Sequence, residues 1–228
     1  MRVLAIDTAL EACSAGVLDT ERGQMTASET MNMAKGHAEA LMPLVARVLD
    51  RAHIQFFSGI DRIAVTTGPG SFTGLRVGIS AARGLALAAN RPAIGLSTLA
   101  AYAAPYIAAD DTLPVVAAID ARHDHVYLQV FGPGGRTLVA PRIVSIRDAL
   151  RVCTTGSPRV VGTAAKLLAD AWPSMERPPT AVDARSAPDI SWVARLGAAA
   201  AETGVPPKPM YLRAPDAQPQ NAAQLARR

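Results

Sequence analysis

The chain has 228 residues, of which half are apolar and 18% charged; that length and mix support a sizeable core, as one large domain or two smaller lobes, and exclude a disordered chain. The net charge of +4 is uneven: residues 1–120 carry 9 Lys/Arg against 11 Asp/Glu, and residues 121–228 carry 14 against 8. A basic second half suits a polyanion such as RNA, or else a scattered solvated surface.

In chain order, residues 3–7 read as a short buried strand ending in a carboxylate, and residues 13–19 and 24–30 as two further strands. Their close, turn-bearing connections predict an antiparallel meander. Residues 36–52 are helical, with Leu41, Leu44, Val45, Val48 and Ala52 on one stripe. A strand at 61–67 feeds a glycine loop and a helix at about 74–89 rich in small residues. Its interior Gly78 and Gly84 each cost about 1 kcal/mol against Ala, so another backbone is expected close by. A strand at 93–96 leads to a helix capped by Ser97 or Thr98 and running to about 104. Strands follow at 115–120, 126–131 and 137–140, the last two joined by Gly132-Pro133-Gly134-Gly135. A helix at 145–152, a strand at 159–162 and helices at 164–171 and 190–203 complete the list. Residues 176–188 read as a loop, and residues 215–228 as a mobile tail. Strands that first meander and then alternate with helices predict an α/β fold with mixed sheets flanked by helices. No repeat of short period is present.

The two cysteines, Cys13 and Cys153, lack metal or redox spacing and read as reduced core thiols. No leader pattern precedes the first strand, and charges or prolines break every long apolar window, so a soluble, cytoplasmic chain is expected.

The stretch Gly68-Pro69-Gly70-Ser71-Phe72-Thr73-Gly74-Leu75-Arg76-Val77-Gly78 carries most of the chemical information. A strand, a glycine loop and a helix in succession bring free N–H groups and a helix N-terminus to one point, which suits an anion. No Walker A lysine is present, the third glycine of a dinucleotide fingerprint is one residue late, and Pro69 removes a donor. Two readings stay open: an anion or nucleotide loop formed by Gly68, Gly70, Ser71, Thr73 and Gly74, or a tight turn that needs glycine for packing. Asp7 is either a carboxylate that orients a cation or water, or a turn-forming Asp. His37 has Leu41 where a helical metal site needs a second His, so it reads as a capping or interface residue. His123 and His125 would share one strand face but leave a zinc site two ligands short. No metal site is expected, and no nucleophile elbow occurs.

These motifs resemble the TsaB family of bacterial tRNA-modification proteins. The resemblance rests on Leu4-Ala5-Ile6-Asp7-Thr8 with Cys13-Ser14, on His37-Ala38-Glu39 with Leu41-Met42-Pro43, and above all on the glycine loop. Asp120-Ala121-Arg122 with Val126-Tyr127, and Pro209-Met210-Tyr211-Leu212-Arg213, add to it. His125 departs from it, standing where family members often carry Glu. The resemblance implies a two-lobed actin-like (RNase H-like) fold of the ATPase superfamily, with lobes at 1–103 and 104–205 and a C-terminal segment at 206–228. It further implies a non-catalytic scaffold and dimerisation subunit of the complex that makes N6-threonylcarbamoyladenosine in tRNA. The partners would be TsaD, the transferase that acts on the adenosine beside the anticodon, and TsaE, an ATPase. Contact with tRNA would occur within the complex, and a homodimer would form when the chain is alone. No cofactor would be tightly bound, and at most a weak nucleotide would sit at the complex interface. The helices at 37–52 and 74–89 would supply the partner surface through His37, Leu41, Leu44, Val45, Val48, Leu75, Gly78, Ala82 and Leu85. An independent actin-like ATPase or small-molecule kinase is the alternative, resting on Asp7 and the glycine loop; a metallopeptidase lacks a zinc set.

Overall fold

The fold is that of a computed structural model describing residues 1–55, 58–153 and 156–213. Two five-stranded mixed sheets lie at its centre. The first contains β1 (Arg2–Asp7), β2 (Ala12–Asp19), β3 (Gln24–Asn32), β4 (Arg62–Gly68) and β5 (Ala93–Ser97), in the order β3-β2-β1-β4-β5. The second contains β6 (Val115–Asp120), β7 (His125–Phe131), β8 (Thr137–Ser145), β9 (Arg159–Val161) and β10 (Ala181–Asp183), in the order β10-β9-β6-β7-β8. The plan repeats. Three antiparallel strands form a meander, and two parallel strands extend it from the first strand.

Successive side chains on a strand face opposite ways, and both central strands are buried on both faces. Leu4 and Ile6 of β1 pack under α1 (His37–Arg51) and α2 (Phe72–Ala89). Val3 and Ala5 pack under α6 (Ile190–Ala199). In the second sheet, Val116 and Ala118 face α4 (Ile146–Cys153) and α5 (Ala165–Asp170). Val115, Ala117 and Ile119 face α3 (Thr98–Ala109). This two-sided burial explains why both strands read as unbroken apolar runs. Both cysteines are buried and free.

The structure has the two mixed sheets flanked by helices that the resemblance implies. Its α6 lies within the range expected for the second lobe but packs on the first sheet. Several elements differ from expectation. α3 continues past Pro105 to Ala109, because the Arg159 guanidinium, from the start of β9, donates to the carbonyls of Tyr106, Asp110 and Leu113 at and beyond its end. β8 runs on through Pro141 to Ser145; it is an edge strand, where a missing N–H breaks no ladder. The stretch expected to be a loop at 176–188 contains β10, three residues paired with β9 and too short to show a period. The expected tail at 215–228 lies outside the described residues.

Candidate functional site

Asp7 ends β1 and is fully buried. Its Oδ1 accepts from the Thr66 hydroxyl on β4 and from the Ala9 N–H at 3.1 Å. Oδ2 has no partner among the described residues. Burial pushes the Asp7 carboxyl above the usual carboxylate range, and the Thr66 and Ala9 hydrogen bonds and the nearby His37 offset only part of that.

The glycine loop packs on the turn that follows this carboxylate. The Ser71 N–H donates to the Ala9 carbonyl at 2.7 Å, and the Thr8 hydroxyl donates to the Gly74 carbonyl at 2.7 Å. Ser71 then caps α2, its hydroxyl accepting from the Gly74 N–H at 3.3 Å. A Cβ on Gly70 would lie 2.3 Å from the Ala9 carbonyl oxygen, and one on Gly74 would lie 2.1 Å from that of Thr8. On Gly78 it would meet the Thr8 hydroxyl at 2.4 Å. The glycine spacing therefore records the approach of the Thr8–Ala9 turn. The chain's own carbonyl takes a loop N–H that a bound anion would use. Of the residues expected in the loop, Gly70, Ser71 and Gly74 meet the Asp7 turn, Thr73 is exposed, and Gly68 meets the C-terminal segment.

That segment was visible in the sequence only as a motif, with no sign of where it goes. The Met210 N–H donates to the Thr67 carbonyl at 2.7 Å. The Tyr211 ring stacks on Phe72 with centroids 5.2 Å apart, and Arg213 reaches the Ala121 carbonyl at 3.2 Å. The strap thus runs from the glycine loop of the first sheet to the β6–β7 turn of the second. In that turn Arg122, His123 and Asp124 are all left-handed, with φ of 61°, 50° and 57°, a conformation that costs about 1–3 kcal/mol per residue. The turn corrects one expectation. His123 sits at its tip and only His125 lies in the strand, so the two do not share a strand face; His125 Nδ1 bonds the His123 carbonyl at 2.6 Å. Among the described residues no group of three or more His, Cys, Asp or Glu could hold a metal.

The expected partner side chains require a larger correction. His37, Leu41, Leu44, Val45, Val48, Leu75, Gly78, Ala82 and Leu85 are all buried within this chain. His37 Nε2 bonds the Leu10 carbonyl at 2.9 Å. An apolar helical stripe faces the protein's own core first, because that is where the transfer free energy is gained. The surfaces left on the two helices carry other residues: Met42 at 44% exposure on α1, and Leu87 at 85% with the open Gly84 on α2. A Cβ on Gly84 would meet nothing within 4 Å, unlike one on Gly78.

No helix among the described residues is long and apolar enough to cross a membrane. The family model described as TsaD, tRNA N6-adenosine threonylcarbamoyltransferase, matches residues 27–218. The TsaB protein of Escherichia coli, named for tRNA threonylcarbamoyladenosine biosynthesis, is 41% identical over 127 residues, covering 56% of this chain and 53% of the relative. The match thus spans about half the length of that curated relative. An uncharacterised protein of Mycobacterium tuberculosis H37Rv is 33% identical over 220 residues, covering 95% and 94% of the two chains. The solved structure of YeaZ from Pseudomonas aeruginosa superposes with a TM-score of 0.77 at 31% identity, covering 92% of this chain and 99% of that one. With residues 27–218 matched by the family model, the chain belongs to the TsaD family and, within it, is similar to the TsaB proteins.

Proposed function

We propose that this chain is a non-catalytic scaffold and dimerisation subunit of the machinery that makes N6-threonylcarbamoyladenosine in tRNA. It holds TsaD while TsaD transfers threonylcarbamoyl to the adenosine beside the anticodon, with the TsaE ATPase as a further member, in the cytoplasm. The observation that carries the reading is the burial of Asp7. The carboxylate that would orient a cation or water is fully buried and bonded to Thr66 of β4 and to the Ala9 N–H, in a turn on which the glycine loop packs. A nucleotide, where one is held, is bound weakly at a subunit junction. The family match and the names of the relatives support the pathway.

The partner surface is the outer side of α1 and α2, through Met42, Gly84 and Leu87 in place of the buried stripe. Gly84 supports this choice: a helix-interior glycine in open space has no packing reason inside the chain, and a helix of a second protein that comes close supplies one. The same surface would self-pair when TsaD is absent.

The test is tRNA modification by a reconstituted system with and without this chain, together with nucleotide hydrolysis by the chain alone. Modification should depend on the chain, and the chain alone should show no turnover above background. Hydrolysis by the isolated chain that is lost in Asp7→Ala would make it an actin-like ATPase or kinase instead. Modification that proceeds unchanged in its absence would remove the scaffold role.

A further inference from the structure

α3 packs on both sheets, but it is bound more firmly to the second. Leu99, Tyr102 and Ala103 pack with Val115, Ala117 and Ile119 of β6. The Tyr102 hydroxyl donates to the Arg185 carbonyl at 3.1 Å, the Tyr106 hydroxyl donates to Asp183, and Arg159 donates to the Tyr106 carbonyl at 2.7 Å. Towards the first sheet α3 turns small residues. Among the described residues, it gives the buried apolar cluster there only Ala101. One turn earlier on that face lies Thr98.

What the first sheet turns to the start of α3 is polar. Asp7 follows Val3 and Ala5 on the strand face that packs with Ala101, and Ser14 is its register partner on β2. Burial first, and then the Asp7 charge, push the Tyr102 phenol up, which fits an Asp7 close to α3. Asp7 Oδ2, Ser14 Oγ and Thr98 Oγ1 are fully buried and have no partner among the described residues. A seam of small apolar contacts and unmet oxygens gains hydrogen bonds when water enters. The chain therefore parts there at lower cost than through either apolar core.

The strap crosses this seam. On the first sheet it is held at several points: Pro207 sits against Gly95 of β5, the Met210 N–H bonds the Thr67 carbonyl, and the Tyr211 hydroxyl accepts from Arg76 Nε at 3.1 Å. On the second sheet the Arg213 guanidinium holds the Ala121 carbonyl at 3.2 Å, and the Ala121 N–H donates to the His125 carbonyl at 3.0 Å, so that anchor moves with β7. Leu10, in the turn after Asp7, packs against the apolar clusters on both sides of the seam.

We propose that residues 207–213 are a clip that keeps the seam between α3 and the first sheet closed, and that it releases at its Arg213 end. The hinge is Ser97–Thr98, where β5 passes into α3 without a loop. The proposal goes beyond the scaffold reading and does not rest on it.

The test places a thiol in the seam of the full chain, by Thr98→Cys from the helix side and by Ser14→Cys from the sheet side. Both are close to isosteric. Labelling by iodoacetamide is followed site by site by mass spectrometry, with the buried Cys13 and Cys153 of the two cores as internal controls. Arg213→Gln, which removes the guanidinium, and Met210→Pro, which removes the N–H at the other end, should each speed labelling of the seam thiol by roughly tenfold. Cys13 and Cys153 should stay as slow as before. Unchanged labelling of the seam thiol in both clip variants would overturn the proposal. So would a parallel rise at Cys13 and Cys153, since the variants would then unfold the chain as a whole. Dependence of tRNA modification on the chain is measured separately and stands or falls by itself.

Discussion

At the residue scale, Asp7 and Gly74 make the sharpest statements. The Asp7 carboxyl is raised in the folded chain because it is buried with one oxygen unpartnered. A group raised in the folded state binds its proton more tightly there than in the unfolded chain. Its stabilising contribution is complete below the unfolded value of about 4 and is lost as pH rises through the folded value. Asp7→Asn keeps the acceptor for Thr66 and removes the titration. The native chain should therefore lose stability relative to Asp7→Asn as pH rises above about 4, read as a shrinking gap, or a reversal, in thermal midpoints. Gly74→Ala puts a methyl into the Thr8 carbonyl and should cost at least about 2 kcal/mol in urea unfolding. Both residues stood out in the sequence, but the sequence left each with two meanings. A glycine loop for an anion and a glycine loop for a close turn have the same spacing; which carbonyl arrives there depends on the β1–β2 connection.

At the element scale, α2 carries two interior glycines with opposite reasons. A Cβ on Gly78 would run into Thr8, and one on Gly84 would meet nothing within 4 Å. Gly84→Ala should stabilise the isolated chain by about 0.5–1 kcal/mol through helix propensity, whereas Gly78→Ala should destabilise it. Gly84→Leu should leave the isolated chain folded and weaken its association with the catalytic partner or with a second copy, read by light scattering. The helices, their stripes and most strands were legible from periodicity alone, within a few residues. The use of the stripes was not. Leu41, Leu44, Val45 and Val48 look the same whether they meet a partner or the chain's own sheet, and only packing places them against β2 and β3.

At the scale of the whole molecule, the two sheets repeat one plan down to single side chains. β1 and β6 both end in Ala-Ile-Asp. The parallel strand beside each begins with a buried arginine that donates to three carbonyls at or just beyond a helix C-terminus. Arg62 donates to the carbonyls of Gly197, Ala198 and Ala200 at the end of α6, and Arg159 to those of Tyr106, Asp110 and Leu113 at and beyond the end of α3. Arg62→Met and Arg159→Met should each cost about 3–5 kcal/mol, because each leaves buried carbonyls unmet. In the double variant the losses should add in denaturant unfolding, since the sites belong to different sheets and share no partner. The duplication leaves no short sequence period because the halves share topology and a few anchor residues rather than a repeated sequence.

The sequence by itself determined most element types, the fold class of mixed sheets flanked by helices, the family resemblance and the special status of Asp7, the glycine loop and the segment around Tyr211. Periodicity, turn chemistry and motif spacing are local properties, written into residues a few positions apart. Only the tertiary structure decided what each of them faces. It set the Thr8–Ala9 turn against the glycine loop, the helical stripes against the core, and the strap from Thr67 to Ala121. Those contacts join residues far apart in the chain, and which surfaces are closed and which stay open follows from burial, which no local pattern encodes.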